Sequence, residues 1–308
     1  MPDWITHITF NTYIFLPVRK RQSDFGLFLL GAILPDLTKI FWVQALDFAN
    51  LKFKIKEFLI WYFEPFHTPF MAIFVSLVFA ILISGSIKRN FIIIYSGSII
   101  HFLLDALQKH FSFYQLLFYP FSFKNYNFQL FHTSEKIWFF ISISFLPFFI
   151  FIIIKNWDSE IRLVLRQKIL LIFLIIFIIL FPFFTKEGFY RANFNSILFL
   201  KNPSKFEGKK VELGVSYIKK VEKEKITVVE IGKEFQIFTG SNYNFKTGEF
   251  VSVRGIYKNG TIYPEILLKE PLKRKKYFSL LVFIFVFIFI LKSIISQLFS
   301  KRFGLIKK

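Results

Sequence analysis

The chain contains no cysteine. That excludes disulfides and thiolate metal sites, and it leaves the redox compartment unread. Histidine is scarce and confined: there are five, all within the first 132 residues and none after them. Acidic residues are half as numerous as basic ones, 20 against 40, a formal net charge of +20. A cleavable leader is not expected, because no basic segment precedes the short apolar stretch Ile8–Leu16 and no clean cleavage site follows it.

Apolar and aromatic residues dominate instead, at 54% and 21% of the chain, with 48 phenylalanines. Pro69–Ile87, Phe91–Leu107, Ile137–Ile154, Ile169–Phe184 and Phe278–Leu298 approach the ~20 residues that cross a ~30 Å hydrocarbon core. Gly26–Phe48 is a sixth run, interrupted at Pro35-Asp36. The expectation is a polytopic membrane protein. The surplus of Lys and Arg then belongs to helix ends that face cytoplasm and anionic lipid.

Within these runs the ionisable residues stand out. His101 and Asp105 lie one turn apart in Phe91–Leu107, on one helix face with Cβ atoms about 5–6 Å apart. An Asp at the bilayer centre costs about 2.5–3.5 kcal/mol on insertion scales, so such a residue points to function. One imidazole and one carboxylate so placed can reach a single cation at about 2.0–2.2 Å each, or they can form a neutral hydrogen bond that locks helices. Asp3 and His7 repeat the spacing near the N-terminus. Asp36 directly follows Pro35, and a proline inside a helix frees a carbonyl that a neighbour must satisfy. His67 stands between two prolines at the entry to the run that begins at Pro69, and His110, His132 and Glu135 follow farther on. If the chain zigzags, most of these residues fall at one membrane face. Several imidazoles converging with carboxylates are what a divalent metal requires.

Thr6-His7, Gly31–Leu37 (GAILPDL), His67-Thr68, His101–Leu107 (HFLLDAL) and the later Tyr119–Ser122 (YPFS) together resemble the membrane-bound metal-dependent hydrolases. Over residues 1–125 the motifs occur in that family's order. Two positions depart from its pattern: Thr38 stands where a second Asp follows LPD, and Tyr62 stands where a further His is expected. A more distant similarity is to the zinc-dependent phospholipase C and nuclease group, with Lys136 where that group has a ligating Glu. The resemblance implies that His7, Asp36, His67, His101 and Asp105 ligate one or two divalent ions, zinc first among them, with His110 and His132 matching more loosely. A bound Zn²⁺ lowers the pKa of water toward about 7, and two ions about 3.5–4 Å apart clamp a phosphoester. Asp105 or Asp36 could bridge such ions, and Asp36 or Asp3 could accept the proton of the water.

From Leu200 onward, apolar and polar residues alternate between Gly, Asn and Lys/Glu turns. Asn259-Gly260 is the strongest hairpin signal. Five short strands in about 70 residues resemble an OB-type barrel. The expected fold is therefore a mainly α polytopic membrane bundle with an inserted five-stranded all-β barrel. Its parts are a helical domain at 1–186, the barrel at 200–272, a membrane helix at 277–299 and a basic tail at 300–308.

OB folds often bind single-stranded nucleic acid, and Tyr217, Phe235, Phe238, Tyr243, Tyr257, Lys219, Lys220 and Arg254 could serve. Interleaved Lys and Glu argue instead for a solvated face, and for a protein partner over nucleic acid. Placing Arg19–Arg21, Lys88-Arg89, Lys155–Lys168 and Lys301–Lys308 inside puts the metal site and barrel outside the cell membrane, with Lys273–Lys276 as the one violation. The leading expectation is a metal-dependent hydrolase, a phosphoesterase for a lipid or lipid-linked phosphate. The alternatives are a non-catalytic scaffold whose barrel binds a protein or nucleic acid, and a metal transporter.

Overall fold

The computed structural model describes residues 4–15, 22–48, 58–59, 61–109, 111, 116–124, 126, 128–130, 136–156, 163–165, 167–193, 195–240, 244–270 and 284–292. Helices come first and a sheet follows. The long helices are α1 (Trp4–Phe15), α2 (Gln22–Phe48), α3 (Pro69–Leu82), α4 (Ile87–Leu107), α5 (Lys136–Lys155) and α6 (Lys168–Asn193). Among the described residues, α4 and the Lys168–Gly188 part of α6 are long and apolar enough to cross a membrane. Residues 61–67 and α3 form a third such unit if counted together across their 77° bend.

The apolar stretch expected to run on through Ile87 ends as a helix at Leu82. Ile83 forms a bridge with Leu163, and Gly85 takes φ +97°, a value that suits a residue without Cβ. Asn90 Nδ2 donates to the Ile83 and Ser84 carbonyls at 3.2 and 3.0 Å, and the Arg89 N–H points at Ser86 Oγ across 3.4 Å. These bonds satisfy groups that a chain reversal leaves open.

Helices α2 and α4 make the closest pair. A Cβ on Gly31 would run into the Ile94 carbonyl, and one on Gly97 would run into the Phe28 carbonyl. Only glycine permits backbones this near, the small-residue packing that brings helices together in apolar surroundings. Ile8, Phe25, Phe28, Leu29, Ile94, Phe149, Ile153, Val286 and Phe289 are buried in the core around this pair. That core therefore draws on α1, α2, α4, α5 and the helical residues 284–292. A buried Asp24 accepts an ion pair from Arg89 and pins α2 to the start of α4.

The strands are β1 (Lys210–Val221), β2 (Lys225–Glu230), β3 (Lys233–Phe238), β4 (Phe250–Lys258) and β5 (Thr261–Glu270). They hydrogen-bond in the order β1-β2-β3-β5-β4, and β1 also pairs with β4, so the five-strand sheet closes on itself. Pairing is antiparallel except between β3 and β5. Val211, Leu213, Ile218, Ile226, Val228, Ile237, Val251, Val253 and Ile262 fill the interior, as the alternation of the sequence requires.

A short helix, α7 (Asn195–Lys201), closes one end of the sheet. Its Phe199 is fully buried against the rings of Phe206, Phe235 and Tyr257, a contribution of about 1.5–3 kcal/mol. The expected boundary at residue 200 thus falls inside this unit. Of the expected terminal helix at 277–299, residues 284–292 are described and are helical.

Candidate metal centre

Three backbone devices set the site. Pro35 has no N–H to offer the Gly31 carbonyl one turn earlier, and Ser98 Oγ donates to that oxygen instead at 2.8 Å. One residue on, the Ala32 carbonyl lies 2.9 Å from His101 Nδ1. A carbonyl only accepts, so Nδ1 carries the proton and the neutral ring presents a lone pair at Nε2. Gly97, His101 and Asp105 are spaced by four along α4. The face that approaches α2 through Gly97 therefore delivers both functional side chains to Asp36.

The second device is the break before α3. Residues Glu64–His67 form a 3₁₀ turn, and Thr68 caps α3. Thr68 Oγ donates to the Pro65 carbonyl at 2.7 Å, and the Met71 N–H points back at the same oxygen across 3.4 Å. His67 is held at the bend between them. The third device is on α1, where Asn11 Nδ2 donates to the His7 carbonyl at 2.7 Å. The His7 ring stacks on His101 with centroids 4.2 Å apart.

The five side chains meet with at most 3% of any residue exposed. Asp105 Oδ1 is 3.0 Å from His7 Nε2, while its Oδ2 is 3.1 Å from His67 Nε2 and 3.4 Å from His101 Nε2. Asp36 Oδ1 is 3.3 Å from His67 Nε2 and 3.7 Å from His101 Nε2. The Nε2 atoms of His67 and His101 are 3.1 Å apart. Two donors each about 2.1 Å from a tetrahedral ion lie about 3.4 Å from one another. The observed separations fall around that value.

Two donor triads, His7/His101/Asp105 and Asp36/His67/His101, share His101, and each keeps its ligand atoms within 4.8 Å of one another. These buried clusters can hold a metal ion. A cation bound here would compensate the charge of the two buried carboxylates.

All five residues singled out as principal ligands thus come together from α1, α2, α4 and the 3₁₀ turn. Asp3, His110 and His132, named as further candidates, lie outside the described residues. Tyr62, at the position where the motif has His, points its hydroxyl at the Ile179 carbonyl 3.1 Å away. Tyr119 of the YPFS stretch is buried and hydrogen-bonds Thr185.

Several participants were not legible as such. Gln108 Nε2 lies 3.5 Å from His7 Nε2, and Asn11, Ser98 and the Ala32 carbonyl orient ligands from outside the cluster. The spacing of Gly97 to His101 and Asp105 was the available signal for the helix approach. Comparison with protein-family models, with curated proteins and with solved structures finds no match to this chain.

Proposed function

We propose that this chain is a membrane-embedded, metal-dependent hydrolase, most closely suited to a phosphoester carried on a lipid. The observation that carries the reading is the convergence of three imidazole Nε2 atoms and two buried carboxylates at tetrahedral donor spacing. His7, His67, His101, Asp36 and Asp105 would hold the cation, zinc being the natural choice for such a nitrogen and oxygen set. Once bound, the ion supplies Lewis acidity and an acidified water.

The protein's own groups divide the remaining work. Asp105 directs one oxygen to His7 and the other to His67 and His101, so each of its oxygens could serve as a donor to a bound cation. Asp36, reached through Oδ1 by two imidazoles at 3.3 and 3.7 Å, would hold the cation through that oxygen and could accept a proton from water through Oδ2. The Ala32 carbonyl holds His101 in the tautomer that keeps Nε2 available.

Surface character supports membrane embedding and an amphiphilic substrate. On α6, Ile169, Ile172, Phe173, Ile176 and Phe184 point outward. Past the site-bearing end of α4, Phe118, Phe121, Phe128 and Leu130 are exposed. Their backbone is nonetheless tied down, with the Phe128 and Leu130 N–H groups donating to the Ala106 and Leu107 carbonyls at 2.8 and 2.9 Å. An apolar rim beside the metal ligands suits acyl chains that stay in the bilayer. The positive-inside pattern supports a site outside the cell membrane; the strand order and parallel β3–β5 pair of the closed sheet support the OB reading, and its interleaved Lys and Glu favour a protein partner.

The test is phosphate release from a lipid phosphate in mixed micelles by the metal-loaded protein. Turnover that vanishes on chelation and in Asp36→Asn supports the reading. Metal binding without turnover on any lipid phosphoester would remove the hydrolase and leave a metal-binding protein.

A further inference from the structure

The two tight hairpins of the sheet share one backbone geometry and differ in one residue. Between β4 and β5 the turn is Asn259-Gly260, with φ +51° and +76°. Between β2 and β3 it is Ile231-Gly232, with φ +49° and +83°. Both positions of such a turn need positive φ, which Asn and Gly accept and a β-branched residue resists. The Asn259 turn is solvent-exposed. Ile231 is half-buried and packs on two sides, against the sheet's own core and against a cluster formed by Trp61, Met71, Leu116 and Tyr119.

That cluster brackets the metal site in sequence. Trp61 precedes His67 by six residues within the same helical stretch, and Met71 is the residue whose N–H faces the Thr68 cap. The sheet touches the other flank too, since the Arg254 guanidinium lies over the Phe111 ring at 5.4 Å, six residues past Asp105. Lys186 completes the arrangement by lying over Trp61 at 4.6 Å. A strained residue kept where a strain-free one is available calls for a gain elsewhere. Here the gain is an apolar contact that joins the sheet's own core to the segment that carries His67.

We infer that Ile231 is a positioning residue for the metal centre: its contact with the Trp61 cluster docks the closed sheet on the helices and fixes the 61–67 turn so that His67 Nε2 meets Asp36, His101 and Asp105. The inference rests on the metal reading above. It makes the sheet part of the site's supporting shell, where substitutions typically lower metal affinity by about 10–100-fold.

The chain's lack of cysteine makes the docking directly measurable. In the full-length protein in detergent, Ile231→Cys should react with a maleimide at least about tenfold more slowly than the same cysteine in a Trp61→Ala background. That background opens the helical side of the contact and leaves the sheet's core intact. Ile231→Cys should also react more slowly than the exposed Asn259→Cys. Equal rates with and without Trp61→Ala overturn the docking. Zn²⁺ affinity by titration calorimetry then tests the consequence. Ile231→Asn, which suits the turn but removes the anchor, should bind Zn²⁺ about tenfold more weakly, and Ile231→Leu should restore affinity to within about twofold. Wild-type affinity in Ile231→Asn overturns this inference alone. A wild-type chain with no Zn²⁺ affinity removes the metal reading, and this inference with it.

Discussion

The Nε2 atoms of His67 and His101 face each other across 3.1 Å, although 34 residues separate the two histidines. His101 keeps its proton on Nδ1 for the Ala32 carbonyl, so its Nε2 turns a lone pair toward His67, open to a shared cation or to the His67 N–H. A ligand that binds only the folded state stabilises it by about 2.7 kcal/mol at a hundredfold excess over Kd. Zn²⁺ should therefore raise the thermal unfolding midpoint in detergent. The same addition to His67→Ala/His101→Ala should leave the midpoint where it was.

Close approach of α2 and α4 is a precondition for the site. Gly97→Ala places a Cβ against the Phe28 carbonyl, which is backbone and cannot rotate away. Overpacking of this kind costs about 1–3 kcal/mol. The expected outcome is a lower unfolding midpoint and weaker Zn²⁺ binding together, with every ligand still present. Gly208→Ala meets open space but a φ of +71° that strains an alanine, so it should cost stability in the sheet and leave Zn²⁺ binding unchanged.

Arg89 and Asp24 pair at the start of α4, where Asp24 is buried and 30% of the Arg89 side chain is exposed. Removing one partner of a fully buried pair costs about 3–5 kcal/mol, and partial exposure of Arg89 reduces that. Arg89→Ala should destabilise the helical part by less than this figure. Adding Asp24→Asn should recover part of the loss, as read by a double-mutant cycle of unfolding midpoints.

Acid should weaken the closed sheet at Glu249. Burial pushes this carboxyl up, but Lys269 Nζ at 2.6 Å and the Lys246 N–H at 2.9 Å outweigh it and hold the group below its ordinary range. A carboxyl depressed in the fold contributes stability above its unfolded pKa of about 4.3, and that contribution is lost as pH falls through the lower, folded value. Unfolding midpoints should drop with acidification below about pH 4. Glu249→Gln should flatten that part of the profile.

The candidate ligands were legible because charge is conspicuous in apolar helices. His101 and Asp105 at i,i+4, and Asp36 after Pro35, declared themselves by spacing alone. The Asn259-Gly260 hairpin and the alternation of β1 to β5 were equally direct. What was not legible depends on contacts between distant segments. No local pattern says that the Gly31 carbonyl, released by Pro35, is taken up by Ser98, or that Phe199 leaves the helical part to plug the sheet. The helix end at Leu82 was hidden because Ile83 is as apolar as its neighbours, and its bridge to Leu163 is a long-range event. Ile231 reads as an ordinary strand residue until its positive φ is seen.

The most direct measurement is the metal content of the purified full-length protein, by elemental analysis, beside the His67→Ala/His101→Ala variant. Wild type should carry one or two divalent ions per chain, and the variant close to none. Near-zero metal in both, or equal metal in both, would contradict the assignment of these imidazoles and carboxylates to a cation.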